Sequence, residues 1–127
     1  MIQTFLVFLG GGIGAAGRHG VNVAAARLFG LGFPWGTLIV NVVGSFAMGL
    51  IAAWFAFKAD AGLSQHVRLF LTTGILGGFT TFSAFSLDVA LLWERGAVVG
   101  ASAYVIVSIV FSVGGLFAGL ALVRGLA

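Results

Sequence analysis

Gly77-Gly78-Phe79-Thr80-Thr81-Phe82-Ser83-Ala84-Phe85-Ser86 interrupts an apolar part of the chain with paired glycines, hydroxyls and closely spaced phenylalanines. Each glycine weakens a helix by about 1 kcal/mol relative to alanine. The two threonines that follow compete for backbone hydrogen bonds. We therefore predict that a helix is broken within residues 77–86.

The composition around this segment is that of an integral membrane protein. Of the 127 residues, 61% are hydrophobic and only 7% are charged, whereas about 25% of residues are charged in soluble domains. One spanning helix needs about 20 apolar residues, so the length accommodates four spans within a single all-α domain, residues 1–127. The spans are predicted at residues 3–26, 34–57, 67–93 and 97–123.

The predicted break falls inside the third span, at membrane depth. Irregular backbone is tolerated there only where it is buried in protein or lines a water-filled cavity. We therefore expect the break to lie at a protein interface or beside a pore.

The charged residues exclude several function classes. The net charge of +3 comes from six scattered Lys and Arg against three acids, without the basic run of a nucleic-acid-binding protein. The chain has no cysteine, and its histidines, acids and serines form neither a metal-site pattern nor a catalytic triad. We expect no enzymatic activity and no nucleic-acid binding.

Two predicted spans carry polar residues at every fourth position, which places them on one helix face. The residues are Thr37, Asn41 and Ser45 in the second span, and Tyr104, Ser108 and Ser112 in the fourth. Interhelical hydrogen bonds that fasten the fold account for Thr37 and Ser45. Asn41 costs more to bury and is therefore a better candidate for function.

Hydroxyls, amides and aromatic rings at membrane depth suit a small anion. Ser, Thr, Tyr and Asn donate hydrogen bonds, and aromatic edges carry the positive part of the ring quadrupole. A cation path would carry Asp or Glu in the membrane, and only Asp88 qualifies, near the end of its span. From spacing alone, Phe82 and Phe85 are better explained by core packing.

The first span is rich in glycine and contains an arginine. Gly10 and Gly14 have the spacing that favours close helix packing. Two roles fit Arg18: its side chain snorkels to the interface, or it attracts anions at a pore vestibule.

The positive charges are balanced across a four-span topology. One side collects Lys58, Arg68 and Arg124, and the other collects Arg18, Arg27 and Arg95. Asymmetry of Lys and Arg normally sets orientation, so this balance predicts insertion in both directions and permits an antiparallel homodimer. A weak bias decided by other factors is the alternative explanation.

Together, the Gly77–Ser86 segment, the asparagine of the second span and the Tyr/Ser track of the fourth resemble the Fluc fluoride channels, also called the CrcB family. The resemblance covers the whole chain in length, spans, polar break and charge balance. It implies a dual-topology antiparallel homodimer with two pores, in the cell inner membrane, that exports fluoride passively and so reduces its toxicity.

The resemblance also implies roles for individual residues. The matches to the family's fluoride pore are Phe82, Phe85, Asn41, Tyr104, Ser108 and Ser112. Arg18 matches the first-helix arginine, with a vestibule role. A structural sodium ion at the dimer axis would be held by main-chain oxygens of Gly77 and Thr80. Asp88 stands where many relatives have Glu, so the resemblance assigns it no role.

Two other functions fit parts of the pattern. Small dual-topology proton-coupled multidrug exporters also have four short spans, but they resemble one another in an intramembrane Glu of the first helix, and this first span has no acid. A structural subunit that transports nothing is the other. Fluoride conduction accounts for more of the residues than either.

Overall fold

The computed structural model describes residues 1–57 and 63–126, which are helical apart from short connections. The elements are α1, Ile2–Phe29; α2, Trp35–Phe57; α3, which runs through Leu63–Leu69, the π-helical Phe70–Leu76 and the turn Gly77–Phe79; α4, Phe82–Glu94; and α5, Val98–Leu126. Lys58, which enters the charge balance above, lies outside the described residues.

Three helical segments of the described chain are long and apolar enough to cross a membrane. They are Trp35–Ala56, Gln65–Glu94 and Val98–Gly125, so the prediction of a multi-pass, all-helical membrane protein is confirmed. α1 has 28 residues, which is also sufficient length, but it carries Arg18, His19 and Arg27. The count of four spans stays a prediction.

Glycines set the closest helix contacts. A Cβ on Gly10 or Gly14 of α1 would overlap backbone atoms of α3, and a Cβ on Gly78 would overlap the Gly11 carbonyl of α1. α2 and α5 meet in the same way, with Gly49 against the backbone of α5 and Gly119 against that of α2. Because lipid gives no hydrophobic gain for helix association, such close backbone packing is what holds membrane helices together.

The third span is broken at Thr80 and Thr81, as predicted for residues 77–86. Both residues are extended, with φ −87° and ψ 156° at Thr80 and φ −154° and ψ 126° at Thr81. Gly77 and Gly78, however, belong to the last turn of α3. The glycines therefore do not form the break themselves, and Gly78 instead allows the close approach of α3 to α1.

The threonine side chains cap the two helix ends at the break. The backbone N–H and Oγ1 of Thr80 both donate to the carbonyl of Leu76, over 2.9 and 2.8 Å. Oγ1 of Thr81 accepts from the N–H of Ala84 over 3.1 Å and so forms the N-cap of α4. The hydroxyls thus end one helix and begin the next.

Candidate functional site

Asn41 of α2 joins the break through two hydrogen bonds to one residue. Its Nδ2 donates to the Thr81 carbonyl over 3.0 Å, and its Oδ1 accepts from the Thr81 N–H over 2.8 Å. Extended backbone in an apolar environment is costly unless both groups are paired. The Asn41 amide supplies both partners and therefore stabilises the break.

The break diverts two backbone donors from their helical acceptors. In an unbroken helix, the N–H groups of Thr81 and Ala84 would donate to the carbonyls four residues earlier, which are those of Gly77 and Thr80. Instead they donate to Asn41 Oδ1 and to Thr81 Oγ1. The carbonyls of Gly77 and Thr80 are the two that the sequence resemblance assigns to sodium.

Arg18 reaches the end of α3 from α1. Its Nε donates to the Gly78 carbonyl over 3.1 Å, and the side chain is half-buried. A cation is favoured at the carbonyl end of a helix, so the guanidinium stabilises the last turn before the break. The structure places Arg18 beside the break, and its vestibule role stays a prediction.

A cavity of about 290 Å³ lies beside the break, between α2, α4 and α5. We call it the break cavity; its lining residues are Asn41, Ser45, Thr80, Thr81, Phe82, Phe85, Ser108, Ile109, Ser112 and Val113. The structure thus brings together five of the six predicted pore residues, all except Tyr104. The lining consists of hydroxyls, one amide and apolar groups, which are all uncharged.

Ser108 is the most informative residue of the break cavity. It is 5% exposed, and its Oγ has no hydrogen-bond partner among the described residues. A buried polar group left unpaired costs about 1–3 kcal/mol, so a native structure keeps one for a reason. Since Ser108 lines the cavity, its hydroxyl can donate to a hydrogen-bond acceptor that enters there.

Phe82 and Phe85 lie side by side on α4. Their ring centroids are 5.5 Å apart, with planes inclined by 44°. Phe82 is 78% exposed in a single chain, whereas Phe85 is half-buried and packs on Tyr104, with centroids 5.1 Å apart. Both rings line the break cavity, so in a single chain they lie on the same side of α4.

Tyr104 lies behind the break cavity in the hydrophobic core. It is 0% exposed, and its hydroxyl donates to Oδ2 of Asp88 over 3.0 Å. Sequence reasoning left Asp88 without a role. Asp88 comes three residues after Phe85, and residues three apart lie on the same side of a helix. This spacing could have indicated that Asp88 lies near the site. A direct contact of Tyr104 with an ion stays a prediction.

A second cavity, of about 340 Å³, lies under the loop between α1 and α2. We call it the loop cavity; its polar and charged lining residues include Asn22, Thr37, Asp88 and Arg95. Thr37 lines the loop cavity, while Asn41 and Ser45 line the break cavity. The polar face of α2 therefore runs from one cavity to the other. Asp88, the partner of Tyr104, lines the loop cavity together with Thr37.

Comparison with known proteins identifies relatives over nearly the whole chain. Residues 5–120 match the family described as CrcB-like protein, Camphor Resistance (CrcB). A protein of Rhodopseudomonas palustris (strain BisB5) named Fluoride-specific ion channel FluC is 62% identical over 121 residues, which are 95% of this chain and 96% of that relative.

Two further relatives have the same kind of name. Fluoride-specific ion channel FluC 2 of Nitrobacter hamburgensis is 60% identical over 125 residues, 98% of this chain and 99% of its own. Fluoride-specific ion channel FluC of Methylobacterium nodulans is 56% identical over 124 residues, 98% of each chain. The similarity therefore extends far beyond the broken helix.

Proposed function

The chain belongs to the CrcB family, and we propose that it is a fluoride-specific ion channel. It lets fluoride cross the membrane down its electrochemical gradient, without a chemical step, and so lets a cell shed the ion. The observation that carries this proposal is the buried hydroxyl of Ser108, which has no hydrogen-bond partner within residues 1–57 and 63–126 and lies in an uncharged cavity at the break. Such a hydroxyl offers its proton to an acceptor, and fluoride is the acceptor named in the relatives.

The break cavity has the chemistry to select fluoride. An asparagine amide has two donor hydrogens, and one of those on Asn41 is directed to Thr81. The other, together with the Ser108 hydroxyl and the edges of the phenylalanine rings, can replace water around a small anion. Donors held at fixed spacing match a small ion better than a larger one, which favours fluoride over chloride.

Purified protein in liposomes tests the proposed function. With a potassium ionophore present to balance charge, fluoride efflux measured by a fluoride electrode should be rapid. It should stop when the ionophore is omitted, because the transport is electrogenic. Chloride in place of fluoride should give no efflux above that of protein-free liposomes. Equal chloride flux would contradict selectivity, and no fluoride flux would leave the chain a structural subunit.

Ser108→Ala should change stability and flux in opposite ways. Fluoride flux should fall roughly tenfold or more, because a hydrogen bond to a charged group contributes about 1.5–3 kcal/mol. The melting temperature should stay the same or rise, since the substitution removes a buried hydroxyl that has no partner in the part of the chain that the structure describes. Both quantities are measured on the same reconstituted preparation.

Ser102→Ala is the matched control, because Ser102 lies on the same helix and is exposed. Its flux and melting temperature should both equal those of the wild type. If Ser108→Ala conducts at the wild-type rate, the hydroxyl does not contact the ion. A large fall in its melting temperature would instead assign Ser108 to the fold.

The functional unit in this proposal is an antiparallel, dual-topology homodimer with two pores. Phe82, Ser83 and Ser86 are exposed in a single chain although they border the break. Polar groups and irregular backbone at membrane depth need protein or water around them, and a second copy across the break meets that need. The sequence places three basic residues on each side of a four-span topology, so the charge pattern does not oppose dual insertion.

A structural sodium ion at the dimer axis is also proposed. The carbonyls of Gly77 and Thr80, whose helical donors are diverted, are oxygen ligands suited to a hard cation. A crystal structure grown in sodium tests the dimer and the ion together: antiparallel chains with an ion between these oxygens would support both. A parallel pair, or helical carbonyls with no ion, would contradict them. In the cell we place the channel in the inner membrane.

A further inference from the structure

Phe85, which lines the break cavity, also belongs to a run of aromatic rings that leads to the loop between α1 and α2. Phe85 packs on Tyr104, and Tyr104 packs on Phe33 of the loop, with ring centroids 5.4 Å apart and planes at 86°. This edge-to-face geometry is directional, because the positive edge of one ring meets the negative face of the other. The ring that lines the cavity is therefore supported through two further rings.

Tyr104 can pass a displacement of Phe33 on to Phe85, because its own side chain has little room to move. It is fully buried, and its hydroxyl is bonded to Asp88. With one end of the side chain held by that hydrogen bond, the tilt of the ring depends on what packs against it. Phe33 packs on Tyr104 from the loop, and Phe85 packs on it from the cavity side.

The loop that carries Phe33 is itself held in place. Arg95, in the connection between α4 and α5, donates to the carbonyl of Gly32, the residue before Phe33. On the other side Trp35 packs on Phe33, with centroids 4.9 Å apart. The intervening Pro34 restricts the backbone. The backbone next to Phe33 is thus held by the Arg95 guanidinium, and the Phe33 ring packs on the Trp35 indole.

We propose that Phe33 is a positioning residue of the fluoride path: through Tyr104 it sets the orientation of Phe85, and Arg95 holds it there. Phe33 lines the loop cavity and does not line the break cavity, so it acts at a distance from the ion. The proposal rests on the proposed function of the break cavity, and it adds the loop between α1 and α2 to the parts that set conduction.

Phe33→Leu tests the proposal, because it removes the ring and keeps an apolar side chain. Fluoride flux in liposomes should fall about two- to tenfold, the range that corresponds to one aromatic pair. Phe33→Tyr, which keeps the ring, should restore the flux. The matched control is Phe8→Leu, since Phe8 is exposed on α1 and lines neither cavity; its flux should equal that of the wild type.

A second measurement reports the ring directly. With 4-fluorophenylalanine incorporated at position 85, the ¹⁹F resonance recorded in fluoride-free buffer should shift or broaden in Phe33→Leu and stay unchanged in Phe8→Leu. Arg95→Gln should alter it in the same direction, and this variant decides the matter if Phe33→Leu does not fold. An unchanged resonance, or wild-type flux in Phe33→Leu, would overturn the proposal. Absence of fluoride flux in the wild type would instead refute the proposed function, while the resonance still tests the positioning.

Discussion

Replacing Phe85 with isoleucine should lower fluoride flux roughly ten- to a hundredfold, if a ring edge contributes as much as one hydrogen bond to a charged group, about 1.5–3 kcal/mol. Isoleucine keeps an apolar side chain in the break cavity but has no ring edge to meet an anion. The same substitution at Phe82, which lines the same cavity, should act in the same direction. Flux is measured on liposomes with matched amounts of protein.

Phe8→Ile controls for the loss of a ring elsewhere in the membrane. Phe8 is exposed on α1 and lines neither the break cavity nor the loop cavity, so its flux should equal that of the wild type. Size-exclusion chromatography shows whether each variant keeps the assembly state of the wild type. If Phe82→Ile and Phe85→Ile both conduct at the wild-type rate, the two rings serve core packing and do not contact the ion.

Local properties of the chain were enough to predict the helices and the break. Apolar runs of spanning length predicted Trp35–Ala56, Gln65–Glu94 and Val98–Gly125 to within a few residues, because in lipid the backbone must be paired within each segment. The mechanism of the break was harder to predict. It depends on the hydrogen bonds of Thr81 with Asn41, 40 residues away. The sequence pattern of a single helix cannot predict a contact with a residue on another helix.

The polar track of α5 shows where periodicity misleads. Residues four apart are offset by about 40° on a helix of 3.6 residues per turn, so Tyr104 and Ser112 diverge by about 80°. Tyr104 accordingly points into the core toward Asp88, Ser108 lies at the inner wall of the break cavity, and Ser112 is half-buried at its side. A spacing of four predicts neighbours along a face but not a single environment.

The contribution of the loop between α1 and α2 was not visible in the sequence. Phe33 is a single aromatic residue before Pro34, and no periodic pattern connects it to Tyr104, which lies on another helix far along the chain. The contact joins this short loop to α5, and Arg95 holds the carbonyl of the residue before Phe33. Tertiary packing alone makes the loop a neighbour of the site.

Asn41→Asp should abolish fluoride flux at neutral pH. The carboxylate can still accept from the Thr81 N–H, but it sets an oxygen against the Thr81 carbonyl where the amide donates. It also places a negative charge in the cavity through which the anion passes. Two like charges about 4 Å apart repel by roughly 4 kcal/mol at an effective dielectric constant of about 20, so we expect a loss of flux of about a hundredfold or more.

Acid pH should relieve both causes at once, and Asn41→Leu is the matched control. A protonated carboxyl has one donor and one acceptor, as the amide does toward Thr81, so flux through Asn41→Asp should recover as the pH falls, after subtraction of the leak of protein-free liposomes. Leucine has neither group and no charge, so its loss of flux should be the same at every pH. A loss in Asn41→Asp that does not respond to pH would contradict both explanations, because protonation restores the donor to the Thr81 carbonyl and also removes the charge.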